Sequence, residues 1–337
     1  MRDSNIKVGV VGVGMMGIRH ARAYKNSKKA ELVCVCSRSA ERAKKVADEL
    51  DVDYETDYKK MIETKKLDAV IVATPVYLHK EMVCLAAEKK IHVLVEKPLC
   101  INTAEAEQML RACRENSINC AVGLNNRFTA LFQELKRIVE EGHIGKPVYF
   151  RMIVPSLSTP PWDNPYLSDW FLDPTKAGGG CLFDRGSHAL DLLRFVLDDE
   201  VESVYARMPR NLERDLGMED TALLSLQFQK GTLGDVFASF STMGGRKFGF
   251  DLLCSEGGIS HYGETEIVSK RTKELNKKLD LVYKDENSVE QQAEDFLDSI
   301  IEKRPPAATI ADGFEVQKIM DAAYQSVKEN KPVSLIL

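Results

Sequence analysis

Features that would direct this protein to a membrane, a secretory route or a nucleic acid are missing from its 337 residues. The apolar runs, such as residues 69–74, are far shorter than the roughly 18 residues that a transmembrane helix needs. The first residues lack the basic start and the apolar middle of a signal peptide. A net charge of −5 provides no basic surface for nucleic acid. We therefore expect a cytoplasmic protein that binds neither membranes nor nucleic acids.

Paired cysteines are also missing. The chain has eight cysteines but no Cys-x-x-Cys motif. Cys34 and Cys36 would share one face of a strand, yet no second pair at a matching spacing accompanies them. We expect reduced, mostly buried thiols and no bound metal.

The first part of the chain alternates strand and helix patterns. Hydrophobic residues make up 44% of the chain, and its length suits about two domains. Five apolar runs are predicted strands: residues 6–12, 31–36, 68–74, 92–97 and 119–124. Amphipathic stretches lie between them, which is typical of a doubly wound parallel sheet with ligands at the carboxyl ends of its strands. We predict a Rossmann domain over residues 1–124.

The pattern changes in the remaining residues, 125–337. A helix at 128–141 leads to strand-like runs at 148–154, 220–228, 231–241 and 248–255, followed by helices at 289–303 and 312–330. The separators QKG and EGG are typical of hairpins between antiparallel neighbours. We predict an α+β domain with a large, open, mainly antiparallel sheet, whose last helices could pack back toward the first domain.

The sequence GVGMMG follows the first predicted strand and opens the first helix. Its glycines, Gly12, Gly14 and Gly17, would allow a tight turn, close approach of a pyrophosphate, and close packing of helix on strand. Met15 and Met16 lie at the helix N-terminus, whose free N–H groups suit an anion. This context predicts dinucleotide binding; the alternative is a glycine turn with a purely structural role.

The second predicted strand ends in Ser37, Arg38 and Ser39. An NAD enzyme usually places an acidic residue there to bind the ribose 2′-hydroxyl. A guanidinium and two hydroxyls instead suit a 2′-phosphate, which favours NADP. The alternative is that Ser39 caps the next helix and Arg38 is solvated, which leaves NAD as the cofactor.

Two further segments carry residues suited to proton transfer. Lys97 ends the run VEK before a proline, where it is either a general acid/base or simply a surface lysine. The segment GGGCLFDRGSH places three glycines before Asp184 and His188, which would be neighbours on one helix. An imidazole beside a carboxylate can move protons near neutral pH, although such a face is often merely solvated. The glycines indicate a sharp turn or a close approach.

Together these motifs resemble the Gfo/Idh/MocA oxidoreductases, the family of glucose–fructose oxidoreductase and inositol 2-dehydrogenase. The similarity runs nearly end to end and includes GVGMMG, ATP, EKPL, NNRF and GGGCLFDRGSH. It implies a Rossmann domain, an open-sheet domain, an active site between them, and assembly into a homodimer or homotetramer through the sheet.

The resemblance also implies roles for individual residues. Lys97, Asp184 and His188 would be catalytic and would contact the substrate, together with Asn125, Arg127 and the loop residue Trp162. The cofactor would contact the glycine turn, the Ser37–Arg38–Ser39 segment and a further set: Ala73, Thr74, Pro75, His79, Glu96 and Lys97. Val76 and Tyr77 depart from the family pattern after ATP.

These observations predict an NAD(P)-dependent oxidoreductase that acts on a secondary alcohol or ketone of a sugar, polyol or inositol. One alternative is a reductase resembling dihydrodiol dehydrogenase or biliverdin reductase. Another is a dinucleotide-sensing regulatory protein without catalysis, which would be expected to have lost one of the three catalytic residues.

Overall fold

The structure is a computed structural model that describes residues 5–155, 169–212, 216–242, 248–273, 277–279 and 287–336. It divides the chain into two compact units. The first contains Met1–Asn125 and Asn287–Phe314, and the second contains Asn126–Glu286 and Glu315–Leu337. The predicted division was continuous, at residues 124 and 125, whereas the structure adds the later segment to the first unit. None of the described helices is long and apolar enough to cross a membrane.

The described strands, in chain order, are β1 (Ile6–Val11), β2 (Ala30–Cys36), β3 (Asp53–Glu55), β4 (Ala69–Val72), β5 (His92–Val95), β6 (Cys120–Val122), β7 (Pro147–Val154), β8 (Val201–Arg207), β9 (Thr221–Phe228), β10 (Leu233–Ser239), β11 (Gly249–Cys254), β12 (Gly257–His261), β13 (Thr265–Ser269), β14 (Lys277–Leu279) and β15 (Val333–Ser334). The described α-helices are α1 (Met15–Asn26), α2 (Ala40–Leu50), α3 (Tyr58–Thr64), α4 (His79–Glu88), α5 (Thr103–Glu115), α6 (Ala130–Glu140), α7 (Pro174–Ala177), α8 (Ser187–Leu197), α9 (Ser288–Ile301) and α10 (Ile310–Glu329).

The sheet of the first unit is parallel, with strand order β3-β2-β1-β4-β5-β6. Strand β4 and residues 93–95 of β5 are apolar and buried because both faces of the sheet are covered there. This confirms the predicted doubly wound Rossmann sheet. The short strand β3 and the helix α3 were not predicted, since three and seven residues carry little periodicity.

Local signals set the ends of several helices in this unit. Ser39 caps α2 by accepting the N–H of Arg42, and Asn102 caps α5 by accepting the N–H of Glu105. Helix α2 ends at Asp51, whose φ of 51° is left-handed. Helix α9 packs on α1 and buries Phe296 and Leu297 in the core of the first unit.

The sheet of the second unit has the order β14-β13-β12-β11-β7-β10-β9-β8-β15 among the described strands. All neighbouring pairs are antiparallel except β7 with β10. The hairpins predicted at QKG and EGG join β9 to β10 and β11 to β12. The predicted mainly antiparallel sheet is therefore confirmed.

The two faces of this second sheet differ. Side chains such as Phe150, Met152 and Phe250 are fully buried in a core that α6 and α8 share. On the opposite face, which we call the open sheet face, Leu223, Leu233, Leu253 and Val268 are 48%, 54%, 49% and 61% exposed. This alternation of one buried and one exposed residue is expected of an antiparallel sheet with a single covered face.

Candidate active site

The glycine turn after β1 has the geometry expected of a dinucleotide-binding loop. Gly12 has a φ of +96°, and a Cβ there would overlap the carbonyl oxygen of Ala73. A Cβ on Gly17 would overlap the carbonyl oxygen of Gly12, so this glycine lets α1 pack closely on the turn. A Cβ on Gly14 would meet nothing within 4 Å. Of the three glycines, Gly14 is therefore the one that faces open space, where a pyrophosphate can approach the protein backbone.

The N-terminus of α1 fits the pyrophosphate of a dinucleotide. Gly14 is the N-cap, no side chain caps the helix, and its first turn contains no acidic residue. Met15 is 51% exposed and Met16 is half-buried. The first N–H groups of a helix have no partner within the helix, and its dipole favours an anion. Residues 12–17 can thus hold a pyrophosphate through backbone N–H groups.

The segment after β2 is arranged as a tight cap. The hydroxyl oxygen of Ser37 accepts the N–H of Ser39 at 3.3 Å, and that of Ser39 accepts the N–H of Arg42 at 3.3 Å. Arg38 between them is exposed. Both serine hydroxyls retain their O–H groups as donors. Ser39 therefore caps α2, as one of the two alternatives predicted, and Arg38 and the two O–H groups are available to a ligand.

The loop after β4 is held by His79. The imidazole is 1% exposed; its Nε2 lies 2.9 Å from the carbonyl oxygen of Thr74, and its Nδ1 lies 3.1 and 3.2 Å from those of Pro98 and Leu99. Burial lowers the pKa of His79, although the surrounding carbonyl groups oppose this effect. His79 thus joins the loop of Ala73, Thr74 and Pro75 to the loop after Lys97, and its direct contact with a cofactor stays a prediction.

Lys97 follows β5 at the carboxyl edge of the first sheet and is half-buried. The preceding Glu96 is only 6% exposed, and its carboxylate oxygens face His20 and the backbone N–H of Lys97. Because β1, β4 and β5 are neighbours, the glycine turn, the loop after β4 and Lys97 lie at one edge of the sheet. The structure therefore brings these predicted residues together within the first unit.

The three glycines provide the sharp turn and the close approaches that the sequence indicated. Gly178 has a φ of +82°, a Cβ on Gly179 would overlap the hydroxyl of Tyr324, and a Cβ on Gly180 would overlap the carbonyl oxygen of Glu219. These neighbours all belong to the second unit. These close approaches are therefore part of the packing inside this unit.

Asp184 and His188 lie on two kinds of helix. Asp184 is in a π-helical turn, Leu182–Gly186, and His188 is in the first turn of α8. The π turn adds a residue to the local repeat, so the ideal spacing predicted from a continuous α-helix does not apply. Both side chains are half-buried, and Asp184 Oδ2 lies 3.3 Å from Arg185 Nε.

Glu219 fixes the start of this π turn and was not found from the sequence. Its carboxylate accepts the N–H groups of Gly180 and Leu182 at 3.0 Å. Burial raises the pKa of Glu219, and the backbone N–H donors oppose the rise. A carboxylate at a helix N-terminus is also favoured by the helix dipole. Glu219 thereby anchors the segment that carries Asp184 and His188.

Asn125 and Arg127 are both buried. Asn125 Nδ2 donates to the hydroxyl oxygen of Ser288 at 2.7 Å. The guanidinium of Arg127 forms a bidentate ion pair with Asp191, with Nε 2.9 Å from Oδ2, and lies over the ring of Phe195. Asp191 is 1% exposed, so this ion pair is buried. The substrate contacts of both residues stay predictions, and Trp162 lies outside the described residues.

An apolar stripe runs along the π turn and α8. Its members are fully or nearly fully buried: Phe183, Gly186, Leu190, Leu193 and Leu197.

The eight cysteines are free thiols, and six of them are buried. In the parts of the chain that the structure describes, no three His, Cys, Asp or Glu side chains are grouped as a metal site would require.

Comparison with known proteins identifies the family. Residues 6–124 match the family described as an oxidoreductase family with an NAD-binding Rossmann fold. Residues 132–260 match the C-terminal domain of the GFO/IDH/MocA family. The chain belongs to the Gfo/Idh/MocA family of NAD-binding oxidoreductases.

Individual relatives match nearly the whole chain. A myo-inositol 2-dehydrogenase of Thermotoga maritima is 29% identical over 98% of each chain. A scyllo-inositol 2-dehydrogenase (NAD(+)) of Bacillus subtilis is 28% identical over 99% of this chain and 97% of its own. Levoglucosan dehydrogenase in complex with NADH and levoglucosan covers 99% of this chain and 100% of its own, with a TM-score of 0.89 at 24% identity. The predicted family, fold class and oxidoreductase activity are confirmed.

Proposed function

We propose that this protein transfers a hydride between a nicotinamide dinucleotide and a secondary alcohol or ketone of a sugar, polyol or inositol. The observation that carries the proposal is the grouping of three features at the carboxyl edge of the first sheet. There the open turn at Gly14 and the uncapped start of α1 lie at the same edge as Lys97. The inositol dehydrogenases named above support this substrate class.

Three residues have separate catalytic roles in this proposal. In the oxidation direction His188 accepts the proton of the alcohol, and Asp184 stabilises the imidazolium that forms. Lys97 donates a hydrogen bond to the substrate oxygen and polarises it. When bound, nicotinamide supplies the hydride acceptor or donor. Asn125, Arg127 and Trp162 are proposed to border the substrate.

The cofactor proposal goes further than NAD binding. We propose that residues 12–17 hold the pyrophosphate, that the loop of Ala73, Thr74 and Pro75 borders the cofactor, and that Arg38 with its flanking serines favours NADP over NAD. The exposed guanidinium and the two O–H groups beside it support this preference.

We also propose that the protein forms a homodimer or homotetramer through the open sheet face. In strand register, Val268, Leu253, Tyr149 and Leu233 form one row across the sheet, with Gly258 between the first two. Contiguous exposed apolar side chains are typical of an interaction surface.

The polar middle of the same face supports a second copy as the partner. Arg151 lies opposite Asp251 and Asp235 in register, with its Nε 3.7 Å from Asp251, and the hydroxyl of Tyr149 donates to Asp235. A face that carries apolar rows and both charge signs can be complementary to itself across a two-fold axis.

Kinetics of Lys97→Ala and His188→Ala test the proposed function. Wild-type protein is mixed with NADP or NAD and a panel of sugars, polyols and inositols, while absorbance of the reduced cofactor is followed. Each variant should lose about 10²- to 10⁴-fold in kcat, the usual contribution of general acid–base catalysis. The dissociation constant of the dinucleotide should stay nearly unchanged, and exposed Lys89→Ala serves as a matched control.

Other outcomes would contradict this proposal. Full turnover by Lys97→Ala at saturation would remove its catalytic role. Dinucleotide binding without turnover of any panel member would instead support a sensing protein, and reduction of aromatic or tetrapyrrole substrates alone would support the other reductases considered above.

A further inference from the structure

A buried chain of hydrogen bonds connects α1 to the backbone of Lys97. His20 is fully buried, and its Nε2 lies 2.7 Å from Glu96 Oε1. The other carboxylate oxygen of Glu96, Oε2, accepts the backbone N–H of Lys97 at 3.0 Å. Both oxygens of the carboxylate are thus engaged, one by a side chain and one by the residue that we propose to be catalytic.

The surroundings of His20 fix its proton. Among the described residues its Nδ1 is buried without a hydrogen-bond partner. A proton there would leave an unsatisfied buried donor, which is destabilising. The geometry therefore places a proton on Nε2, which donates to Glu96. The ring of Tyr24 stacks on the imidazole with ring centroids 6.5 Å apart and an interplanar angle of 24°.

Glu96 is held as a carboxylate. Burial disfavours its charge, but the hydrogen bond and electrostatic interaction with His20, followed by the charge and backbone N–H of Lys97, outweigh burial, and the pKa of Glu96 lies below its usual value. The carboxylate also lies where a side chain would extend from Gly123, since a Cβ there would be 2.7 Å from Oε2. Glu96 is therefore fixed in charge and in position.

We propose that His20 and Glu96 are positioning residues that set the direction in which the chain leaves β5 and thereby aim Lys97. The inference rests on the proposed catalytic role of Lys97. The carboxylate can orient the backbone N–H of Lys97 through Oε2 only while its own orientation is fixed. The hydrogen bond from His20 to Oε1 fixes that orientation. Misplacement of a reacting group by about 1 Å can cost on the order of 10²-fold in rate.

Three variants test the positioning role. Glu96→Gln keeps the shape but replaces an acceptor by an NH2 group, which must face either the N–H of Lys97 or the N–H of His20. His20→Phe keeps a ring without a donor, and His20→Gln restores a donor near the position of Nε2. We expect Glu96→Gln and His20→Phe to lower kcat about 10²-fold with an unchanged dinucleotide dissociation constant. His20→Gln should recover most of the loss.

A matched control is His92→Gln. His92 begins the same strand that Glu96 follows, and its Nδ1 accepts the N–H of Asn119 at 2.9 Å. This variant loses a histidine hydrogen bond at the opposite end of β5 and should keep wild-type kcat. In a Lys97→Ala background, Glu96→Gln should lower the residual rate no further, because the side chain that it positions is absent.

The outcomes separate this inference from the proposed function. A folded Glu96→Gln variant with wild-type kcat, or one that changes only the melting temperature, would overturn the positioning role while Lys97→Ala still loses activity. An active Lys97→Ala variant would instead overturn the proposed function. Should His20→Phe fail to fold, Glu96→Gln and His20→Gln decide the question.

Discussion

Arg38 is exposed where β2 leads into α2, between two serines whose hydroxyl oxygens accept backbone N–H groups. The serine oxygens are used by the cap, but their O–H groups remain donors, and the guanidinium is fully charged at neutral pH. The same three residues therefore suit a 2′-phosphate, and the two serines also have a capping role that needs no phosphate. The sequence alone therefore left both cofactors open.

The preference for NADP is tested by Arg38→Ala. Loss of a charge-assisted hydrogen bond, which contributes about 1.5–3 kcal/mol, should weaken NADP binding by on the order of 10-fold or more. Binding of NAD should stay nearly the same, since it lacks the 2′-phosphate. Titration calorimetry with both dinucleotides measures the difference, and Lys45→Ala, at an exposed position of α2, is the control. An equal loss for NAD and NADP would contradict the proposed preference.

The elements that carry the candidate site depend on glycines of two kinds. Gly180 sits where a side chain would collide with the backbone of Glu219, whereas Gly14 faces open space at the start of α1. The first is required by packing within the second unit, whereas we propose that the second allows the pyrophosphate of the cofactor to approach. In the sequence both glycines lie in glycine-rich turns before helices. They cannot be distinguished there because the neighbours that differ are distant in the chain.

Substitution of these two glycines should separate stability from binding. Gly180→Ala forces a backbone shift and should cost about 1–3 kcal/mol, seen as a lower melting temperature. Gly14→Ala has a compatible backbone, with a φ of −76°, and should leave the melting temperature unchanged. Its methyl group should nevertheless weaken dinucleotide binding. A Gly14→Ala variant that binds the dinucleotide as well as wild type would contradict the proposed pyrophosphate site.

For the whole molecule, the open sheet face is the surface that the fold leaves exposed and apolar. Its apolar row crosses β13, β12, β11, β7 and β10, and Leu233 and Leu253 are about half exposed within it. Arg151 lies beside this row between Asp235 and Asp251, so side chains of both charge signs are available to pair across a second copy.

Self-association is tested by Leu233→Glu and Leu253→Glu. Each variant places a charge in the middle of the proposed interface, where its burial would be costly, and should convert the assembly to monomers. Light scattering coupled to size-exclusion chromatography measures the mass. Ile301→Glu, at an exposed isoleucine of the first unit, should leave the assembly intact. A wild-type protein that is monomeric at micromolar concentrations would contradict the proposal.

The sequence by itself determined the elements whose signals are local. The period of apolar residues predicts α1 and the buried strands, and the glycines of the turn after β1 have the conformations and close neighbours that their spacing predicts. Lys97 could be placed at a strand end because strand and proline are adjacent in the chain. The family resemblance followed from such short motifs.

Only the tertiary structure decided which side chains hold these motifs in place. His20 and Glu96 are 76 residues apart, Arg127 and Asp191 are 64 apart, and Glu219 lies 39 residues after Gly180. It also assigned residues 287–314 to the first unit. Periodicity and spacing describe neighbours within one element, whereas these contacts depend on which elements pack together, so one sequence without its fold contains no direct sign of them.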